Sequence, residues 1–169
     1  MTLSIPYENL FNQHEAGVDL MITMWGVNCI LNYPPIRTPC PNCQPSDPLI
    51  PKSSQVYLPG GPIPFTDGIC PYCQGEGIKE VAQTENKKFR VFWEPKQFID
   101  THVPSLSLPD NTVQIEGYMI DVPNLLRAQT IILNDQLIPT MNMVYRRFGE
   151  PVPHGFRSNR YFLSYLTRV

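Results

Sequence analysis

Four of the five cysteines stand in two pairs, Cys40-Pro-Asn-Cys43 and Cys70-Pro-Tyr-Cys73. Each C-x-x-C pair offers two sulfurs from one tight turn. Two such turns brought together supply the four thiolates, about 2.3 Å from the ion, of a tetrahedral structural zinc site. Turn amides beside the sulfurs donate to them and hold them in place. The expectation is one structural zinc per chain, ligated by Cys40, Cys43, Cys70 and Cys73. Iron in the same four-thiolate set, a pair of disulfides, and four buried but unconnected thiols are the alternatives. Disulfides suit oxidising compartments and small secreted domains. A redox C-x-x-C needs a strand-to-helix setting, whereas both pairs here lie among prolines and turn residues.

The 26 residues between Cys43 and Cys70 exceed the roughly 15–20 usual between the pairs of a zinc ribbon. Their composition accounts for the length: Pro45, Pro48, Pro51, Pro59, Gly60, Gly61, Pro62 and Pro64 make a loop that neither a helix nor a central strand accommodates. The second pair continues as Cys70-Pro-Tyr-Cys73-Gln-Gly75-Glu-Gly77 and resembles the CxxCxGxG repeat of the cysteine-rich domain in J-domain co-chaperones. There the glycines let the chain fold back after the second ligand. The resemblance covers eight residues and implies a way of holding zinc, not chaperone activity. Tyr57, Leu58, Ile63 and Phe65 are apolar groups on the loop, suited either to pack round the metal or to touch a neighbouring subunit.

The elements that must carry this loop are mostly strands. Charged residues make up 17 % of the chain, prolines number 19 and glycines 10, a composition for loops and strands. Residues 6–25 read as a helix, with Leu10, Phe11, Val18, Met21, Ile22 and Trp25 on an apolar side, Pro6 before it and Gly26 after it. His14 falls on the polar side of that pattern and is expected to be exposed. Val27 to Tyr33 reads as a strand stopped by Pro34-Pro35, within which Cys29 is expected to be a buried, inert thiol.

Beyond the loop, 78–82 and 89–93 read as strands joined by a polar turn over 83–88, with Lys87-Lys88 solvated. Glu94 to His102 is ambiguous between strand and helical turn, and 104–111 is a loop. Strands follow near 113–120, 129–133, 141–148 and 156–169, with Leu125-Leu126-Arg127 as a short bridge and turns at Asn134-Asp135 and 150–155. Short strands at this spacing predict a mainly β fold: a small antiparallel β-barrel or sandwich with an N-terminal helix and a four-cysteine zinc-binding loop insertion. The organisation expected is 1–35 for the helix and first strand, 36–80 for the insertion and 81–169 for the rest of the barrel.

Net charge is −2, with no strong footprint for nucleic acid. Arg146-Arg147, with Arg157 and Arg160 further on, is the nearest thing to a basic cluster, and it suits a solvated surface or a subunit interface. No signal peptide is evident at the N-terminus, and the longest apolar stretch, 20–33, is too short for a bilayer span. A soluble protein made in a reducing cytoplasm is expected, with no membrane partner.

Catalysis has little to stand on. His14, His102 and His154 have no nucleophile elbow beside them, phosphate-cradling glycine motifs are absent, and no His-x-Glu precedes either cysteine pair, which excludes the deaminase signature. A four-thiolate ion has no open position for substrate, so the expectation is a protein that is not an enzyme. A zinc hydrolase with a labile ligand is the weakest alternative.

The whole layout resembles the neck proteins of tailed bacteriophages. The resemblance is carried by the helix Leu10-Phe-Asn-Gln-His-Glu-Ala-Gly-Val-Asp-Leu20, the strand Cys29-Ile-Leu-Asn-Tyr-Pro-Pro35, the pairs CPNC and CPYCQGEG flanking Pro59-Gly-Gly-Pro-Ile-Pro-Phe65, and the ending Gly149-Glu-Pro-Val-Pro-His-Gly-Phe156 with Arg160-Tyr-Phe-Leu163. Among these proteins the strand content points to the head-to-tail stopper and away from the helical adaptor. The resemblance implies a β-barrel assembled as a homo-oligomeric ring, a hexamer. The ring would sit in the virion neck between a portal or adaptor protein and a tail terminator or tail-tube protein, and packaged DNA would pass through its channel. A zinc-ribbon module that binds nucleic acid or regulates is the alternative from another class.

Overall fold

The computed structural model describes residues 7–44, 52–66, 68–93, 108–134, 142–155 and 159–169. The chain divides into two compact units, one of residues 1–33 with 84–169 and one of residues 34–83. In order, the elements are helix α1 (Tyr7–Trp25), strands β1 (Val27–Pro39), β2 (Ile78–Phe92) and β3 (Thr112–Tyr118), a 3-10 turn (Met119–Asp121), helix α2 (Val122–Arg127), and strands β4 (Thr130–Asn134), β5 (Asn142–His154) and β6 (Tyr161–Arg168).

The six strands close into an antiparallel barrel in the order β1-β2-β3-β6-β5-β4. It is completed by β4 on β1, where Cys29 faces Leu133 and Asn32 faces Thr130. Side chains alternate across each strand, and one set of alternate residues fills the interior: Cys29 and Leu31, Phe89, Val113 and Ile115, Ile131 and Leu133, Tyr145, Phe162 and Leu166. Leu125 of α2 joins the same core. Phe89 and Phe162 meet edge to face at 5.7 Å. A Cβ at Gly117 would run into both rings, so only glycine fits there.

The outer set of β3 and β6 seats α1, through Val18 and Ile22 against Tyr161 and Tyr118. The Tyr161 hydroxyl donates to Oδ1 of Asp19 at 2.9 Å, and Arg160 pairs with Oδ2 of the same carboxylate at 2.9 Å. The ammonium of Lys88 bonds the carbonyl of Thr23 at the helix C-terminus, where the dipole favours a cation. Of the apolar side expected for this helix, only Val18 and Ile22 are buried. Phe11 and Met21 are half-buried, and Leu10 and Trp25 face solvent. The seat is narrower than the sequence pattern because a single tyrosine pair receives it.

Several boundaries differ from the sequence reading. β1 does not stop at Pro34-Pro35 but runs to Pro39. The polar stretch 83–88 is no turn, because β2 is one strand of 15 residues. The charges that suggested a turn are spent on each other: Lys87 pairs with Glu85 and Asp121, each at 2.8 Å, and Glu85 also accepts from the Tyr33 hydroxyl at 2.6 Å and from the Asn124 side-chain amide at 3.3 Å. Residues 119–120, expected in a strand, form the 3-10 turn, and 125–127 lie in α2. Residues 150–154 belong to β5. A register shift between Phe148 and Val152, with Gly149 at φ +77, absorbs the irregularity around Pro151 and Pro153. The reading of Glu94 to His102, and Asp135 of the expected turn, lie outside the described residues.

Candidate metal centre

Residues 34–83 form the unit that holds the cysteines. Its strand portion is a ribbon of the ends of β1 and β2, where Thr38 Oγ1 donates to the carbonyl of Lys79 at 3.3 Å and Arg37 pairs with Glu80 at 2.9 Å. The amide of Cys40 then bonds the carbonyl of Gly77 at 2.9 Å. That bond closes the base of the excursion, so the start of the first cysteine pair and the glycine that ends the second motif are neighbours.

All four expected ligands come together. Cys40, Cys43, Cys70 and Cys73 are buried, and their sulfurs lie within 4.8 Å of one another. Cys40 Sγ is 4.0 Å from Cys70 Sγ, and Cys43 Sγ is 3.7 Å from Cys73 Sγ. The edge of a tetrahedron of sulfurs 2.3 Å from a central ion is about 3.8 Å. A disulfide requires about 2.05 Å between sulfurs, and all five cysteines are free thiols. The cluster is thus a four-sulfur cage of a size that can hold a metal ion.

Each pair is shaped by its own turn. In the second, the amide of Gln74 bonds the carbonyl of Cys70 at 2.8 Å and the amide of Glu76 that of Cys73 at 3.0 Å, while the amide of Gly77 donates to Cys73 Sγ at 3.4 Å. Gly77 has φ +74, and a Cβ there would collide with the backbone of Lys52 and Ser53. The sequence motif after Cys73 therefore demands glycine at this position for two independent reasons. In the first pair, the amide of Asn42 donates to Cys40 Sγ at 3.4 Å, and Ser53 Oγ lies 3.2 Å from Cys43 Sγ.

Burial opposes ionisation of Cys70, but donation from the Asn42 side chain and from the amides of Cys73 and Tyr72 outweighs it and brings its pKa down to about 6. For Cys73, too, burial is outweighed, here by the amides of Gly77 and Gly75, and the pKa is lowered. Burial prevails at Cys43, which is pushed up to about 12, and at Cys40, which is also raised. The second pair thus presents anionic sulfur more readily than the first.

Asn42 is the residue that sequence reasoning missed. It is fully buried, and besides Cys70 Sγ at 3.4 Å its side chain reaches the carbonyl of Ile63 at 2.8 Å and accepts from the amide of Ile63 at 2.9 Å. Its own carbonyl takes the amide of Leu58 at 3.0 Å. One asparagine therefore ties the first cysteine turn to the Pro/Gly loop and to a ligand sulfur. The only signal in the sequence was its place inside the C-x-x-C turn, where asparagine is ordinary turn chemistry.

The loop's apolar groups divide. Phe65 packs on the cysteine cluster together with Tyr72, and Tyr57 meets Phe65 edge-on at 5.9 Å, whereas Ile63 is exposed. Cys29 lies in the barrel, fully buried, and burial pushes its thiol up to about 12, as an inert core residue should be. Of the histidines, His14 is half-buried on α1, contrary to the exposed position expected. His154 Nε2 stands 3.6 Å from the buried Glu116, which Arg90 also meets at 3.1 Å, and His102 lies outside the described residues. Arg147 is engaged by Glu150 at 3.1 Å and Arg160 by α1, leaving Arg146 exposed; Arg157 lies outside the described residues. No described helix is long and apolar enough to cross a membrane.

Compared with models of protein families, with curated proteins and with solved structures, the chain finds no match.

Proposed function

We propose that this protein is a structural connector of a tailed-bacteriophage virion, a head-to-tail stopper that assembles into a hexameric ring in the neck. It would join a portal or adaptor protein to a tail terminator or tail-tube protein and help retain packaged DNA. Its four-cysteine cage holds one zinc ion per chain, whose role is to stiffen the excursion and not to act on a substrate. The observation that carries the reading is the pairing of a closed six-strand barrel with a separate unit whose buried centre is four cysteines. A barrel is a rigid body for packing side by side, and a metal cross-link gives a loop with little apolar core a fixed shape to present to a partner.

The zinc assignment rests on the donor set. Four buried thiolates at tetrahedral spacing leave no position for water or substrate, which is the arrangement of structural zinc. Amides aimed at the sulfurs are the second shell such a site needs.

Native mass spectrometry of the purified protein, with metal content read on the same sample, tests the proposal. One zinc per chain and a closed ring, together with recovery of the chain from purified virions by antibody labelling at the neck, are expected. A metal-free monomer that is absent from particles would refute it.

A further inference from the structure

Four thiols in one cage can lose electrons as well as hold an ion, and the contacts between them run from turn to turn. Cys43 Sγ stands 3.7 Å from Cys73 Sγ, and Cys40 Sγ stands 4.0 Å from Cys70 Sγ. In each contact the partners are 30 positions apart in the chain. A covalent bond at either would therefore join the same two turns that an ion joins. A disulfide needs about 2.05 Å between sulfurs, which these pairs can reach once no ion stands between them.

The four sulfurs are not alike. The amide of Asn42 donates to Cys40 Sγ, the side-chain amide of Asn42 to Cys70 Sγ and the amide of Gly77 to Cys73 Sγ. Such donors draw charge from a thiolate and fix it in place, which slows its attack on an electrophile. Cys43 has no amide donor among the described residues. Its neighbour is the Ser53 hydroxyl at 3.2 Å, a freely turning group whose oxygen already accepts the amide of Gln55 at 3.1 Å. None of the four cysteines is more than 5 % exposed, so an oxidant that reaches them must be small.

From this we infer that the cage is a redox device, in which a peroxide oxidises Cys43 first and converts the four thiolates into two disulfides, Cys43–Cys73 and Cys40–Cys70, with release of the ion. In the first step the Cys43 thiolate takes one oxygen of the peroxide. The O–O bond breaks, hydroxide leaves and the sulfur becomes a sulfenic acid. The Cys73 thiolate then attacks that sulfur, so that the S–S bond forms as the S–O bond breaks and a second hydroxide leaves. Cys40 and Cys70 repeat both steps with a second peroxide. Two peroxides thus accept four electrons, four solvent protons turn the four hydroxides into water, and zinc departs as the divalent ion.

Bridges between the turns close long loops and constrain the chain far more than a bridge inside one C-x-x-C turn. The excursion therefore keeps its closed form when a reducing surrounding gives way to an oxidising one. The release step rests on the zinc reading of the cage. The sulfur pairing rests on the contacts themselves, and neither depends on the virion reading.

The test treats the full zinc-loaded chain with hydrogen peroxide beside a chromogenic zinc indicator, blocks the remaining thiols and maps the bridges by peptide mass spectrometry. Loss of the one zinc per chain should keep step with loss of four of the five thiols, while Cys29 in the barrel core stays reduced. Stopped at half conversion, the chain should carry the Cys43–Cys73 bridge without the other, and a sulfenic-acid trap should label Cys43 ahead of the other three. Hydrogen exchange over 40–44 and 68–77 should stay near the zinc-loaded rates after full oxidation. Bridges inside the pairs, Cys40–Cys43 and Cys70–Cys73, would overturn the proposal. So would thiols that survive excess peroxide, or exchange that rises to unfolded rates. A chain that takes up no zinc removes the zinc reading and the release step together, whereas wrong pairing in a chain that does hold zinc overturns this inference alone.

Discussion

The two units of this chain solve the same problem by different means. Among the described residues the barrel buries eleven in one continuous core, nearly all apolar, and closes its own hydrogen-bond ladder. The unit of residues 34–83 has as its core cluster four cysteines, with Phe65 and Tyr72 against them. Apolar burial of the first kind stabilises without help. The second centre buries too little for that, and its sulfurs bring their full benefit only when a cation joins them. On the proposed reading, the difference teaches that the barrel is a body whose stability is its own, whereas the excursion would take its fixed shape from a bound ion.

That contrast can be broken most forcefully at a ligand. Cys70→Ser removes a sulfur whose ionisation three donors favour and should abolish stoichiometric zinc, with loss of order in residues 34–83. Apparent zinc-binding free energies of structural sites run to about 10 kcal/mol or more, so no local packing replaces it. Metal analysis with an NMR spectrum checks this, and the barrel's resonances should persist.

The reverse cut is made in the other unit. Phe162→Ala leaves a void beside Phe89 and Gly117 and should lower barrel stability by about 3–5 kcal/mol, measured by urea unfolding, while zinc stoichiometry stays at one. Asn42→Ala is smaller and falls on the excursion. It strips partners from both backbone groups of Ile63 and from Cys70 Sγ, costs about 2–3 kcal/mol of local stability, and should speed zinc transfer to a chromogenic chelator without changing stoichiometry. Least of all, Glu80→Gln cuts an ion pair whose side chains are mostly exposed, and chelator transfer and melting should move by no more than about 0.5 kcal/mol.

What the sequence made legible follows the range over which each signal acts. The C-x-x-C pairs are local chemistry with strict spacing, and the four cysteines converge into one cluster. Period-two alternation found the strands near 113, 131, 145 and 162, and with them a small antiparallel barrel or sandwich, between which the closed strand order decides for the barrel. Longer-range partners were not legible. Lys87 and Glu85 look like a solvated turn until Asp121, Tyr33 and Asn124 are brought to them by the fold. Pro34-Pro35 and Pro151-Val-Pro153 look like strand breakers, yet a ribbon end and a bulge tolerate prolines that lack a ladder partner. Helix α1 shows a broad apolar side in sequence, but the tyrosine seat of Tyr118 and Tyr161 takes only Val18 and Ile22, and no periodicity reveals the width of a seat. Asn42 reaches Ile63, 21 residues along the chain, a distance that no local pattern spans.

Hydrogen exchange followed by mass spectrometry, on the zinc-loaded protein with and without a strong chelator, tests the central contrast most directly. Chelation should raise exchange in peptides covering 40–44, 52–58 and 68–77 to nearly unfolded rates, while peptides covering 112–118 and 161–168 keep their protection. Equal loss in both sets, or no change in the first, would contradict an excursion built on metal beside a barrel that stands alone.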